Sequence, residues 1–388
     1  MKFTVIRENL SNALNVVSKA VNQRSPLPIL SNILIKTEKG MIQLFASDLQ
    51  MSISASVGAK IDEPGEITVP AKIFIEFVNQ VNSDKIDFSL SGAVLKLSTD
   101  KVNATLSGIP ASEFPVMDRP KKGYEVTLPS DLFSKAIQKV QYVVAIDEGR
   151  PVLTGIYFKI TKNELVIAGT DGYRMAEYSF GLQNAPFGIK EDEVVSCVVP
   201  AKAFSENIKA FAGKSNDMTF AIYPENNVVT LKVDDYVAQI RMIDGEYPDY
   251  LSVVPSEFST SIVIDSSEFS NGIKLASIFA RDIGNMIKLV IKDGVIESIS
   301  QPSESGSNIT KMSADVEGED IAIAFNAKYL LDFVSNQSSS GDIIFKTSDP
   351  LKPVLFSVNT EENYFAEGKK INGFKRYFHL IMPMKSSW

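Results

Sequence analysis

The chain has 388 residues, of which 44% are hydrophobic and 22% are charged, and its formal net charge at pH 7 is −8. A single cysteine, Cys197, and a single histidine, His379, exclude an internal disulfide, a cysteine-based zinc cluster and a two-histidine metal site. No apolar run approaches the roughly 20 residues that cross a bilayer, and residues 1–8 do not resemble a signal peptide, so we expect a cytoplasmic protein without a membrane partner.

Two sequence patterns recur three times in the same order along the chain. In the first, a strand-like run leads into an amphipathic helix, at residues 3–20, 126–143 and 262–279. In the second, an Ala-Lys pair joins a strand-like run to an apolar helix, at residues 68–78, 198–208 and 324–334. The alanines of these pairs, Ala71, Ala201 and Ala327, are 130 and 126 residues apart, and a period of this length predicts three copies of one domain.

Between these patterns the chain consists of short alternating runs of Val, Ile, Phe and Thr that are broken by turn residues, which is typical of antiparallel β-structure. Each repeat is therefore predicted to contain two β-α-β-β-β halves, with the helices on one face of an antiparallel sheet, which is an α+β fold. Breaks near residues 121–123 and 255–257 divide the chain into three predicted domains, at residues 1–122, 123–256 and 257–388.

The charges are distributed unevenly between the predicted helices and the rest of the chain. Six helical windows carry twelve Lys and Arg against six Asp and Glu, a net +6 that leaves −14 for the other residues; the windows are 7–24, 71–82, 130–142, 201–214, 266–281 and 327–335. Solvated lysines explain such a bias in one ordinary helix, but the same bias in six repeated helices favours a shared basic surface. A surface of this kind attracts a phosphate backbone without reading bases, and its binding weakens as salt rises.

Six segments spread over nearly the whole length carry a family resemblance: MKFTVIRENL, LPILSNILI, TVPAK, GTDGYRMA, DGEYPDY and HLIMPMK. Together they resemble the bacterial sliding clamps, the beta subunits of the replicative DNA polymerase III holoenzyme. The resemblance implies three tandem clamp domains in each chain and a head-to-tail homodimeric ring, with helices lining the inside and sheets on the outside. Such a ring encircles double-stranded DNA and tethers the replicative polymerase for processive synthesis. It catalyses no reaction, and the resemblance implies neither a cofactor nor a metal.

The resemblance also implies three functional surfaces. A pocket between the second and third domains takes short linear motifs of glutamine and apolar residues from the polymerase, the clamp loader and repair proteins; it maps onto Leu153, Thr170, Gly172, Tyr173, Arg174, Met175, Pro248, Val253, Tyr329, Ile381, Met382, Pro383 and Met384. The DNA-facing residues are Arg24, Lys72 and Lys202 by motif and, by charge, Lys135, Lys139, Lys209 and Lys274. The joint of the ring maps onto Leu106, Ile278 and Phe279.

Some positions depart from the family pattern. Tyr173 stands where the family often has histidine, and Ser252 stands where some members have arginine, so we expect the rim of the pocket to differ. Ala104 is smaller than the aromatic residue expected at the joint, which predicts a weaker interface. The segment 359–378 is longer than expected, and residues 385–388 extend beyond the usual end of the chain.

Two rival functions remain open at this point. An enzyme could hold a divalent metal between Asp48 and Asp171, which occupy related positions in the first and second repeats, although aspartate at such positions is also typical of a turn. A repeat-built adaptor would bind protein partners through the same domains without threading DNA. His379 lies in a strand-like run, which favours a structural or partner-facing role over catalysis.

Overall fold

The structure, a computed structural model, describes residues 1–22, 25–115, 120, 122–182, 185–281, 284–302, 304, 306–337, 341–359 and 374–386. Three parts of the sequence predictions lie outside these described residues: Arg24, residues 360–373 of the long segment and residues 387–388 of the tail.

Each third of the described chain contains two β-α-β-β-β halves, as the sequence predicts. The first third has β1 (Lys2–Ile6), α1 (Arg7–Val17), β2 (Asn32–Glu38), β3 (Met41–Ser47), β4 (Met51–Glu63), β5 (Glu66–Pro70), α2 (Ala71–Gln80), β6 (Lys85–Ser91), β7 (Val94–Ser98) and β8 (Asn103–Ser107). The second third has β9 (Tyr124–Pro129), α3 (Ser130–Gln141), β10 (Gly155–Ile160), β11 (Glu164–Thr170), β12 (Arg174–Gly181), β13 (Val195–Pro200), α4 (Ala201–Phe211), β14 (Asp217–Tyr223), β15 (Val228–Val233) and β16 (Tyr236–Arg241).

The last third follows the same order and has one short additional strand, β21. It has β17 (Thr260–Asp265), α5 (Ser266–Ala280), β18 (Met286–Lys292), β19 (Val295–Ser300), β20 (Ile309–Ser313), β21 (Asp315–Gly318), β22 (Ile321–Asn326), α6 (Ala327–Ser335), β23 (Asp342–Thr347), β24 (Val354–Asn359) and β25 (Phe374–Ile381). Within the described residues, no helix has the length and apolar character needed to span a membrane.

The first helix shows why the repeated segments become helical. Its apolar residues Leu10, Ala13, Leu14 and Val17 recur at helical spacing and are all buried, as the sequence pattern predicts. Burying an aliphatic side chain of the size of leucine contributes about 1.5–3 kcal/mol, so this apolar face is what holds the helix on its sheet. The α-helix ends at Val17 and continues as a 3-10 turn to Ala20, so it is shorter than its predicted window.

Contacts within the chain divide it into two compact units. One comprises Met1–Ser134, Pro186–Gly188 and Lys202–Met242, and the other comprises Lys135–Ala185, Ile189–Ala201 and Ile243–Trp388. The division passes through the predicted central domain because two strands of that domain pair with strands of the other repeats, β16 with β4 and β12 with β25. The two boundaries that the sequence gives between the three domains stay a prediction.

The first unit is built on a sheet of twelve strands. Its main path runs β8-β7-β6-β1-β4-β16-β15-β14-β9, and β2, β3 and β5 branch from β4 through β3. The 13-residue strand β4 joins the two parts of the path, since its first residues pair with β16 and its last residues pair with β1. Buried phenylalanines fill the core beneath, among them Phe3 and Phe88, whose rings stack with centroids 4.6 Å apart.

The second unit contains a nine-stranded sheet, β13-β10-β11-β12-β25-β24-β23-β17-β21, and a four-stranded sheet, β20-β19-β18-β22. A large core of Ile, Leu and Phe side chains includes residues of α5, α6 and both sheets. A smaller apolar cluster comprises Met175, Leu355, Phe378 and Leu380, and residues of the segment after β16 pack against it. Because side chains alternate along a strand, this cluster lies on the face of β12 and β25 opposite to His379.

Candidate functional site

The motif Gly-Thr-Asp-Gly-Tyr-Arg folds into a tight turn between β11 and β12. The Asp171 Oδ1 atom accepts hydrogen bonds from the backbone N–H groups of Tyr173 at 2.9 Å and of Arg174 at 3.0 Å. The Thr170 hydroxyl donates a hydrogen bond to the Arg174 carbonyl at 2.7 Å. Gly172 adopts φ +91°, a backbone conformation that residues with a Cβ atom rarely adopt. The turn presents the Tyr173 side chain to solvent with 61% of its surface exposed.

The first repeat contains the same turn, and this bears on the metal-enzyme hypothesis. Asp48 Oδ1 accepts the backbone N–H groups of Gln50 at 3.0 Å and of Met51 at 2.7 Å, as Asp171 does in the second repeat. Both carboxylates therefore cap turns, which supports the ordinary explanation of these aspartates. The described residues contain no group of three or more His, Cys, Asp or Glu side chains that could hold a metal ion.

Arg174 is the centre of a buried ion-pair network. Its side chain is 7% exposed, Nε donates to Asp171 Oδ2 at 3.1 Å, and Nη1 donates to Asp332 Oδ2 at 2.7 Å. Nη2 donates to the Tyr142 carbonyl at 3.0 Å, and the guanidinium lies 4.5 Å from the ring centroid of Tyr329. The arginine thus fastens the turn to α6 and to the residue that follows α3.

Sequence reasoning placed Arg174 and Tyr329 in one pocket, and the structure brings them into contact. It missed Asp332 and Tyr142, which hold the arginine. One signal for Asp332 was available, because it follows Tyr329 by three residues and therefore lies on the same helical face.

The predicted end of the pocket, residues 381–384, is fastened by its backbone. The Met382 N–H donates to the Tyr173 carbonyl at 2.8 Å, and the Met384 N–H donates to the Ala324 carbonyl at 2.7 Å. Met382 is partly exposed beside Tyr173, and Pro383 and Met384 are half-buried. Ile381 is fully buried in the large core, so it supports this run from below and offers no surface of its own.

The segment after β16 supplies the remaining predicted pocket residues. It forms a 3-10 turn at Tyr250–Val253, in which Val253 is 52% exposed, and Pro248 is also exposed. Leu251 is an exposed apolar residue of the same turn that sequence reasoning missed. Leu153 and Met175 are buried, so within this unit they form underlying structure and not a free surface.

His379 is fully buried on β25, two residues before Ile381. Its Nδ1 atom lies 3.2 Å from the Tyr142 hydroxyl, and its ring stacks on Phe333 with centroids 5.0 Å apart. Burial, and secondly the positive charge of Arg174, lower the pKa of His379 well below its ordinary value of 6.5. The imidazole is therefore neutral in the folded protein at pH 7.

The buried histidine predicts a loss of stability in mild acid. Below pH 6.5 the unfolded chain takes up a proton at His379 that the folded chain does not, so the free energy of unfolding falls as the pH falls, by up to about 1.4 kcal/mol per pH unit. We expect His379→Phe to remove this dependence between pH 6.5 and 5, measured by urea unfolding at several pH values. His379 is the only histidine, so no other histidine titrates in this range, and the carboxylates are the same in both proteins. Parallel pH profiles of the two proteins would contradict the prediction.

The predicted DNA-facing lysines fall into two groups. The side chains of Lys72, Lys135, Lys202, Lys209 and Lys274 are exposed on α2, α3, α4 and α5. Lys139 on α3 is half-buried, since its Nζ atom donates to Gln337 Oε1 and lies 5.3 Å from the ring centroid of Tyr377. Lys139 is therefore held by contacts within the protein, and the five lysines of the first group differ from it in having exposed side chains.

The predicted joint residues lie near the last strands of two sheet paths. β8 ends the main path of the twelve-stranded sheet, and β20 ends the four-stranded sheet. Leu106 on β8 is buried in its own unit, whereas Ile278 on α5 is 55% exposed and Phe279 is half-buried. Ile309 on β20 is 62% exposed and Leu275 on α5 is also exposed, and sequence reasoning missed both.

Three family models match consecutive parts of the chain. They describe the N-terminal, central and C-terminal domains of the DNA polymerase III beta subunit, and they match residues 1–118, 127–249 and 251–367.

Proteins and solved structures with sliding-clamp names are similar to the chain over most of its length. The beta sliding clamp of Bacillus subtilis (strain 168) is 30% identical over 374 residues, which cover 93% of this chain and 97% of the relative. That of Staphylococcus aureus (strain N315) is 29% identical over 343 residues, covering 86% of this chain and 89% of the relative. A crystal structure of the Bacillus subtilis DNA polymerase sliding clamp has a TM-score of 0.89 at 27% identity, with 100% of this chain and 99% of that chain covered.

Proposed function

This chain belongs to the bacterial beta sliding clamp family, the beta subunits of DNA polymerase III, and we propose that two copies of it close head to tail into a ring around double-stranded DNA. It consists of three tandem clamp domains and is a DNA sliding clamp, a processivity factor of DNA replication and not an enzyme. The proposed ring holds the replicative polymerase on its template in the cytoplasm.

The observation that carries the proposal is the sixfold repetition of one β-α-β-β-β unit, in which four of the six helices bear exposed lysines at predicted positions. Two chains supply twelve such units, and a head-to-tail contact that closes after two copies arranges them symmetrically about one axis. Helices on the inner side of such a ring place their lysines around the duplex. Contacts to phosphates alone carry no sequence information, so they permit sliding.

The strand edges β8 and β20 support the proposed joint. An edge strand offers unpaired backbone N–H and C=O groups to a strand of another chain, and exposed apolar residues beside it add buried area on association. Ile278 and Ile309 provide such residues on one side of the proposed joint. On the other side, Leu106 contributes through the strand that it stabilises, since its side chain is buried.

The partner pocket is proposed at the exposed side chains of Tyr173, Val253 and Met382. Met382 is hydrogen-bonded to Tyr173 in the turn that Arg174 fastens, and Val254, the neighbour of Val253, packs against the cluster that contains Met175. Methionine is flexible and polarizable, so it suits a surface that accepts several apolar motifs. The proposed occupants are short linear motifs of glutamine and apolar residues from the polymerase, the clamp loader and repair proteins.

Retention on circular and linear DNA tests the proposal. Light scattering coupled to size exclusion first establishes the molar mass, which we expect to be 85.2 kDa, twice the 42.6 kDa of one chain. The protein is then loaded onto a nicked circle by a clamp loader with ATP, and half of the sample is linearised. We expect the circle to retain the protein and the linear molecule to lose it from its ends. A protein-binding adaptor gives equal and poor retention on both, and that result would refute DNA threading.

A further inference from the structure

A fully buried carboxylate lies beneath the segment that supplies one wall of the proposed pocket. Glu177 on β12 is 0% exposed, and it lies on the same face of its strand as Met175 in the small apolar cluster. One oxygen, Oε2, accepts the Tyr250 hydroxyl at 2.7 Å, and the other accepts the Nε–H group of Arg376. Both oxygens of a costly buried charge therefore have partners.

Tyr250 is the residue through which the segment after β16 contacts this carboxylate. Its side chain packs against the cluster that contains Met175, and its ring meets the rings of Tyr157 and Tyr247 edge to face, at 6.2 Å from each. Burial, and secondly the Glu177 charge, raise the pKa of Tyr250, so its hydroxyl stays protonated and donates throughout the neutral range. Tyr250 is thus fixed both by packing and by a charge-assisted hydrogen bond.

The exposed wall of the pocket begins directly after this anchor. Tyr250 opens the 3-10 turn that ends at Val253, and the turn is closed by the Val254 N–H, which donates to the Leu251 carbonyl at 3.2 Å. The same turn exposes the side chains of Leu251 and Val253. Because the backbone of the turn is internally hydrogen-bonded, a shift of its first residue also moves the residues that follow.

We infer that Glu177 is a positioning residue for partner binding: it holds Tyr250 and thereby determines the positions of Leu251 and Val253. The inference rests on the proposed pocket. Glu177 touches no partner itself. An ion pair buried in an apolar cluster adds little net stability compared with well-packed apolar residues, so its placement is better explained by the geometry that it specifies.

Tyr250→Phe tests the inference, since it removes the hydroxyl and keeps the ring. The probe is a fluorescein-labelled synthetic peptide with a glutamine followed by apolar residues, and its affinity is measured by anisotropy well below the unfolding midpoint. We expect about 3- to 10-fold weaker binding, the range that follows from losing one hydrogen bond. We also expect faster hydrogen exchange of the Val254 amide and unchanged retention on circular DNA.

Two further variants separate positioning from general stability. Tyr157→Phe removes a hydroxyl from the same aromatic group without touching the bond to Glu177, and we expect it to bind the peptide as the unaltered chain does. Glu177→Gln offers one acceptor oxygen in place of two, so we expect a loss of affinity there too. The double variant Glu177→Gln with Tyr250→Phe is expected to lose no more peptide affinity than the single variant with the larger loss, because both changes act through one hydrogen bond.

The outcomes distinguish this inference from the pocket on which it rests. If the unaltered chain does not bind the peptide, the proposed pocket fails and the inference fails with it. If the unaltered chain binds and Tyr250→Phe binds equally well, the positioning role alone is overturned. A lower unfolding midpoint of Tyr250→Phe with unchanged peptide affinity would likewise assign Glu177 to stability and overturn the inference.

Discussion

Reversing the charge of four exposed helical lysines is expected to lower the affinity for double-stranded DNA by about 100-fold or more at low salt. The four are Lys72, Lys202, Lys209 and Lys274. Each change to glutamate replaces attraction to a phosphate by repulsion. The slope of log affinity against log salt is expected to become shallower by about one for every lysine that contacts a phosphate. The measurement is equilibrium binding of the protein to a fluorescein-labelled duplex over a series of salt concentrations.

A matched control distinguishes an effect of the helix surfaces on DNA binding from an effect of the net charge of the protein. Lys39, Lys60, Lys232 and Lys292 are exposed on strands or turns, and changing them to glutamate alters the net charge by the same amount. We expect this control to bind the duplex nearly as tightly as the unaltered protein does. Equal losses in both variants would assign the effect to net charge, and no loss in the helical variant would contradict a DNA-facing role for these helices.

Lys139 is left unchanged in that design for a structural reason. Its contacts with Gln337 and Tyr377 belong to a half-buried network, so a glutamate there would disturb packing as well as charge. The sequence placed Lys135 and Lys139 in one group by their charge, and their spacing of four residues predicts that they share a helical face. Only the packing around α3 shows that Lys139 is half-buried against Gln337 and Tyr377, which are distant from it in sequence.

The repeated architecture could be predicted because its signals are local. An apolar stripe such as Leu10, Ala13 and Leu14 specifies a helix wherever it occurs, and the Ala-Lys junctions mark the same strand-to-helix step three times. The end of α1 could not be predicted, because the tightening into a 3-10 turn after Val17 has no comparable signal. The extent of strand sharing was also missed, since the pairing of β4 with β16 joins residues more than 180 positions apart.

The candidate site was predictable as a set of motifs but not as a set of roles. The turn at Asp171 and the exposed Tyr173 follow from local sequence. The positions of Leu106 and Ile381 beneath the surface depend on strand register, which places Leu106 opposite Leu95 and Ile381 opposite Arg174. A one-residue shift would turn those side chains to the other face, so motif matching alone cannot tell a contact residue from a supporting one.

Arg174→Met is expected to lower the free energy of unfolding by about 3 kcal/mol, the lower end of the range for breaking a buried ion pair. The substitution leaves the Asp171 and Asp332 carboxylates without their cation and the Tyr142 carbonyl without its donor. The lower end applies because the Asp332 side chain is 34% exposed and is partly solvated already. Urea unfolding at pH 7 measures the change.

Arg150→Met is the matched control for this prediction. Arg150 donates from Nη2 to the Asp171 carbonyl at 3.2 Å, so it contacts the same turn, but its side chain is exposed. Water replaces the lost contact there, and we expect a cost below about 1 kcal/mol. Similar losses for the two arginines would contradict the assignment of Arg174 to a buried network.

Arg174→Met is also expected to weaken peptide binding even where the protein remains folded. Arg174 joins the turn that carries Tyr173 to the helix that carries Tyr329 and Asp332, so its removal frees two walls of the proposed pocket to move independently. Arg174→Lys keeps the charge but not the planar fork that serves three acceptors, and we expect an intermediate loss. A double-mutant cycle with Asp332→Asn isolates the pair itself: a coupling energy near zero would show that the arginine acts through the turn alone.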